Sequence, residues 1–178
     1  MSTYSLHDAL RPPGLVSLLR FPLALVFPLT LGHPVWAVTL LVLASATDIA
    51  DGWIARHFHL ETPTGAVLDG LMDKAFVITV VITLVASGSL GVGEAMMLAT
   101  RDLGEVPLLI YLAVAHQIEP RTKRASNAAG KLATVLQMAT IGAIVLELPH
   151  RTAWVLATAG IGAVAAAWYW VRELRDAA

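Results

Sequence analysis

Residues 38–87 read VTLLVLASATDIADGWIARHFHLETPTGAVLDGLMDKAFVITVVITLVAS, two apolar runs that enclose four aspartates, Asp48, Asp51, Asp69 and Asp73. The flanking runs are of the kind that sit in lipid. Each carboxylate inside a membrane costs about 2.5 to 3.5 kcal/mol on insertion scales. Four of them cost on the order of 10 to 14 kcal/mol, a penalty that something bound there has to offset.

The rest of the chain agrees with a membrane setting. Of 178 residues, 57% are hydrophobic and 14% charged, against about 25% charged in an average soluble domain; the mean hydropathy is +0.70. The length fits a single domain over 1–178. A net charge of −1 gives no argument for a nucleic-acid partner, and the lack of cysteine excludes disulfides and thiolate metal sites. The opening MSTYSLHDALRPPG has neither a basic leader nor a short apolar core, so no cleavable signal peptide is expected. Residues 1–14 are expected to lie at the membrane interface, with a short helix over 4–11 before Pro12-Pro13.

Apolar periodicity predicts an all-α integral membrane protein with six transmembrane helices, over residues 15–31, 35–55, 66–87, 94–115, 132–147 and 152–171. Pro22 and Pro28 should kink the first. Turn signals separate the spans, as in Gly32-His33-Pro34 and Leu148-Pro149-His150. With the N-terminus inside, Arg11, Arg56, Arg121, Lys123, Arg124, Lys131, Arg172 and Arg175 fall on the inner side, and only Arg151 falls in an outer loop. That bias places both termini in the cytoplasm. Trp36, Trp154, Trp168 and Trp170 fall near span ends and read as interface anchors.

On a helix, Asp48, Asp51 and Ala55 recur at i, i+3, i+7 with Gly52 in the same stripe, and Gly65, Asp69 and Asp73 recur at i, i+4, i+8. The two helices are antiparallel about an inner loop near residues 57–64. At ~1.5 Å per residue, Asp51 and Asp73 then lie at similar depth, roughly 9 to 10 Å from that loop. Four carboxylates therefore converge on a cavity that faces the cytoplasm. They cannot all ionise so close together without protons or cations. Oxygen ligands with no cysteine select Mg²⁺ or Mn²⁺ (or Ca²⁺) over zinc, and two such ions bridged by carboxylates suit phosphoryl chemistry. Arg56 stands at the mouth, where a guanidinium can meet phosphate. Carboxylates inside membranes also mark ion pathways, so a carboxylate-lined cation transporter is the competing reading from another class. No second aspartate cluster follows in residues 90–178, whereas transporters usually show related halves.

The string Asp48-x2-Asp51-Gly52-x2-Ala55-Arg56-x8-Gly65-x3-Asp69-x3-Asp73 resembles the full signature of the CDP-alcohol phosphatidyltransferase family at all eight fixed positions. The resemblance implies transfer of the phosphatidyl group of a CDP-linked lipid, usually CDP-diacylglycerol, to an alcohol with release of CMP. It implies that Asp48, Asp51 and Asp69 hold divalent metal, while Asp73 is the general base and touches a second ion. It further implies that Gly52, Ala55, Arg56 and Gly65 join Asp48 and Asp69 in the cytidine diphosphate site. A homodimer in the inner cell membrane, among membrane lipids, is also what the resemblance implies.

PPGLVSLLRFPLALVFP, residues 12–28, is similar to the start of bacterial phosphatidylglycerophosphate synthases, with Gly14 in place of the usual Asn. Arg20, early in the first span, either snorkels to the inner interface or contacts substrate. NAAGKLATVLQ, residues 127–137, resembles the family's Gly-Lys-x-Lys-Thr-x-x-Gln stretch at Gly130, Lys131, Thr134 and Gln137, with Ala133 replacing a lysine. Lys131, Arg101 and Arg20 are the candidate acceptor-binding residues, and Arg101 can pair with Glu105 at i, i+4. Glycerol-3-phosphate is the expected acceptor; inositol phosphate, or a phosphatidyl group to give cardiolipin, are the alternatives.

Overall fold

A computed structural model describes residues 12–60, 62–104, 107 and 128–176. The expected interfacial helix over 4–11, the basic cluster Arg121, Lys123 and Arg124, residue Glu105 and the Lys131 side chain lie outside what is described. The described residues are helical, with no strand among them. The helices are α1 (Pro12–Leu18), α2 (Arg20–Val26), a 3₁₀ turn (Phe27–Thr30), α3 (Pro34–His57), α4 (Pro63–Ala86), α5 (Val92–Leu98), α6 (Ala128–Val145) and α7 (Arg151–Asp176).

The expected kinks in the first span are present, and each has its proline. Pro22 has no N–H to offer the Leu18 carbonyl and its ring crowds that turn, so the helix breaks at Leu19. There Leu19 N–H bonds back to the Val16 carbonyl at 3.1 Å. Pro28 marks the change from α to 3₁₀ at Phe27–Thr30. Even so, Pro12–Thr30 remains one apolar run long enough to cross a membrane, as do Pro34–His57 and Arg151–Arg172. At ~1.5 Å per residue, the 24 residues of α3 reach about 36 Å. Leu132–Val145 is apolar but shorter. Large side chains such as Leu29, Val35, Ile49 and Val164 are more than half exposed. That surface suits lipid and would be a liability in water.

The described residues divide into two compact units, one up to residue 88 and one from residue 89 onward. In the first unit, α1 packs on α3 and α4, and α2 packs chiefly on α4. The two aspartate-bearing helices α3 and α4 make little direct contact; the N-terminal helices join them. Phe27, Phe76 and Val80 fill the core, and Ala24, Ala37 and Ala44 let the backbones approach. In the second unit α6 and α5 both pack on α7. Thr140 and Thr158 share a buried hydrogen bond of 2.7 Å between α6 and α7, the polar type of link that holds helices together in lipid.

The expected fourth span is broken. Helix α5 ends at Leu98, Ala99 forms a turn, and residues 100–104 are helical again. Gln137 of α6, itself buried, donates its Nε2 to the Leu98 carbonyl at 3.1 Å and so satisfies a group at the break. At the other end of α5, Glu94 accepts the Gly91 N–H at 2.8 Å and pairs with Arg151 at the start of α7. Trp170, expected as an interface anchor, has an inward task as well: its Nε1 donates to the Gly104 carbonyl at 2.9 Å.

Candidate active site

Helix α3 carries its aspartates at the end that leads into the short loop before α4. It stops in a Schellman motif, in which Leu60 N–H bonds the Ala55 carbonyl at 2.9 Å and His59 takes the left-handed conformation, φ 52°. His57 stacks on Trp53 one turn back, ring centroids 4.8 Å apart. Helix α4 then starts at once. The Thr62 hydroxyl accepts the Gly65 N–H at 3.0 Å, and Pro63 occupies the first turn. A Cβ on Gly65 would stand 3.0 Å from that same hydroxyl, so the glycine keeps the cap uncrowded. These two tight helix ends set Asp48 and Asp51 opposite Asp69.

One carboxylate oxygen from each of Asp48, Asp51 and Asp69 lies within 4.8 Å of the others. Asp51 is buried at 3% exposure, whereas the Asp48 and Asp69 side chains are 43% and 42% exposed. The cluster thus has a sealed floor and an open rim. Asp73 follows Asp69 by one turn on the same face of α4, partly buried, and is not one of the three gathered oxygens.

The floor is closed by side chains from the first span. Ser17 donates its hydroxyl to Asp51 Oδ2 at 2.7 Å. Arg20 does not snorkel: it is 1% exposed, one of the most buried large side chains among those described. Its Nη2 lies 2.5 Å from Asp51 Oδ2 and 3.1 Å from Asp48 Oδ1, and its Nη1 lies 2.8 Å from Asp69 Oδ1. One guanidinium against three carboxylates leaves two negative charges at the cluster, which draw a further cation toward it. Three hard oxygen donors from two helices, with no sulfur or imidazole among them, fit a Mg²⁺- or Mn²⁺-type ion.

Ser17 was not singled out from sequence, although it carried a signal. Ser17 and Arg20 stand at i, i+3, polar positions on one side of an apolar stretch, within the segment that resembles bacterial family members. Arg56 is exposed and folds back over Gly52, so that a Cβ there would meet its Nη1 at 3.1 Å. Gly52 and Arg56 therefore form one surface at the rim. Ala55 is partly buried one turn from Asp51.

Of the candidate acceptor-binding residues, Arg20 belongs to the first unit, and Arg101 and Lys131 belong to the second. Arg101 hydrogen-bonds Thr134 of α6, and a Cβ on Gly162 would come within 3.3 Å of the Arg101 backbone. Of the four family-like positions in this stretch, Thr134 thus holds the segment that follows α5, and Gln137 holds the last residue of α5.

The profile of the CDP-alcohol phosphatidyltransferase family matches residues 11–170. A protein of Mycobacterium tuberculosis (strain CDC 1551 / Oshkosh), whose name is that of a phosphatidylglycerophosphate synthase, is 31% identical over 92% of this chain and 81% of its own. Another from that strain, named for cardiolipin synthesis, is 35% identical over 58% of this chain and 52% of its own. The chain thus spans about half the length of that relative. A CDP-diacylglycerol–glycerol-3-phosphate 3-phosphatidyltransferase of Rickettsia bellii (strain RML369-C) is 40% identical over 42% of this chain and 34% of its own.

Proposed function

Because the chain belongs to the CDP-alcohol phosphatidyltransferase family, we propose that it transfers the phosphatidyl group of CDP-diacylglycerol to glycerol-3-phosphate and releases CMP. The observation that carries the reading is the gathering of Asp48, Asp51 and Asp69 within 4.8 Å where α3 leads into α4. A relative named as a phosphatidylglycerophosphate synthase over most of both chains supports the acceptor.

In this reading Asp48, Asp51 and Asp69 hold Mg²⁺ or Mn²⁺, and Asp73 completes the binding of a second ion. The ions, when bound, neutralise the diphosphate and the CMP that departs. Gly52 and Ala55 leave space for the nucleotide, while Arg56 meets its phosphates. The acceptor hydroxyl attacks the lipid-bearing phosphorus, the bond from that phosphorus to the CMP oxygen breaks, and Asp73 takes the hydroxyl proton. Lys131 and Arg101 attract the acceptor's own phosphate. The membrane arrangement proposed is six spans, both termini in the cytoplasm, a cavity open to that side of the inner membrane, and a homodimer.

A relative named for cardiolipin synthesis favours one second reading, with a phosphatidyl lipid as acceptor. The test supplies labelled CDP-diacylglycerol with glycerol-3-phosphate, inositol phosphate or phosphatidylglycerol in turn and identifies the lipid product by mass spectrometry. Phosphatidylglycerophosphate from the first mixture alone supports the proposal. Product only from one of the others would move the acceptor, and no lipid product from any would sink the transferase reading.

A further inference from the structure

We propose that Arg20 is the resident counter-ion of the aspartate cluster and that divalent ions displace it as they bind. The proposal rests on the metal reading above and concerns how this chain's own residues make way for the ion. Arg20 touches the same three carboxylates whose oxygens gather within 4.8 Å, at 2.5, 2.8 and 3.1 Å. A hard divalent ion draws each oxygen ligand to about 2.0 to 2.6 Å and sits between them. An ion drawn to those three oxygens takes the space that the two Nη atoms hold against them, and at such short range the guanidinium and the ion repel.

The position of Arg20 suits a movable plug. It starts α2, a seven-residue helix between the break at Leu19 and the 3₁₀ turn at Phe27. Helices α3 and α4 make little direct contact, so the guanidinium is a polar cross-link between the two aspartate helices. Its Nε has no hydrogen-bond partner although it is buried. The head group is therefore held through its Nη atoms alone, and turning away from the carboxylates gives up no Nε bond. Before an ion arrives, Arg20 keeps three carboxylates together that would otherwise repel one another. Once an ion takes their charge, the guanidinium is released.

The test uses the full chain in detergent, free of nucleotide, and compares wild type with Arg20→Gln. Mn²⁺ binding is read from the free-ion electron paramagnetic resonance signal, and thermal unfolding is followed in chelator and in Mn²⁺. The variant is expected to bind Mn²⁺ on the order of ten-fold tighter, a usual size for coupling between two ligands. It should also unfold at lower temperature in chelator and gain more from added Mn²⁺ than wild type does. A folded variant with equal or weaker Mn²⁺ affinity would overturn the proposal and leave the metal reading standing. No Mn²⁺ binding by either protein would overturn both. If Arg20→Gln does not fold, the Arg20 Nε–H resonance of ¹⁵N-labelled wild type, assigned with Arg20→Lys, is followed during Mg²⁺ titration. A shift with faster solvent exchange supports displacement; an unmoved resonance at saturating Mg²⁺ overturns it.

Discussion

Arg20 Nη2 meets Asp51 Oδ2 at 2.5 Å in a position where both residues are nearly sealed from solvent. Ser17 reaches the same carboxylate oxygen at 2.7 Å. The first span is thus part of the aspartate site, and its two polar side chains form the floor on which the other carboxylates stand. Removing the smaller of them should be felt. Ser17→Ala leaves Asp51 Oδ2 with Arg20 as its remaining donor, and a hydrogen bond to a charged group contributes about 1.5 to 3 kcal/mol. A matching fall in thermal stability, largest in chelator, is the expected result; unchanged melting would show that the bond is dispensable.

The rim gives a second prediction. Gly52→Leu places a side chain where Arg56 now lies, since even a Cβ would stand 3.1 Å from Arg56 Nη1. Leucine favours both helix and membrane, so the fold should persist. CDP affinity should drop, and Arg56→Ala should produce much of the same loss. In calorimetry the double variant is then expected to lose less than the sum of the two, as coupled neighbours do. Fully additive losses would mean that the two residues act apart.

Asp73 is distinguished from Asp48 by position. It lies outside the three gathered oxygens, whereas Asp48 is one of them. Asp73→Asn should keep CDP-diacylglycerol affinity and lose roughly 10² to 10⁴ in turnover, the usual effect of deleting a general base. Asp48→Asn should weaken metal and CDP-lipid binding together. Binding and turnover at saturating Mg²⁺ decide it: equal loss of affinity in both would make Asp73 a ligand rather than a base.

The second unit supplies a test of packing. A Cβ on Gly104 would stand 2.7 Å from the Ala166 Cβ, closer than atoms tolerate. Gly104→Ala should cost about 1 to 3 kcal/mol, as overpacking does. Ala166→Gly in the same chain should recover most of it, read as the midpoint of thermal unfolding. Failure of the second change to help would mean that the two helices separate there at no cost.

Much of this was legible in the sequence because lipid makes the code simple. Apolar runs bounded by proline and glycine located α3, α4 and α7 to within a few residues, and the spacing of the aspartates set them on facing stripes. Pro22 and Pro28 announced the broken first span. The break at Ala99 had no such herald, since no proline or glycine stands there, and Gln137 reaches the Leu98 carbonyl from another helix. Arg20 was hardest to place. A long cation near a span end reads equally as an interface anchor, and only the fold brings three carboxylates from two other helices to its head group.

The central claim is that the aspartate cluster is the site of phosphatidyl transfer, and its most direct measurement is CMP release. Purified protein in detergent with CDP-diacylglycerol and glycerol-3-phosphate should release CMP in step with lipid product when Mg²⁺ or Mn²⁺ is present. Chelator should abolish the release, and Asp51→Asn should do so at any Mg²⁺ concentration that wild type needs. CMP release that continues at the wild-type rate in metal-free buffer, or in the Asp51→Asn protein, would contradict the account.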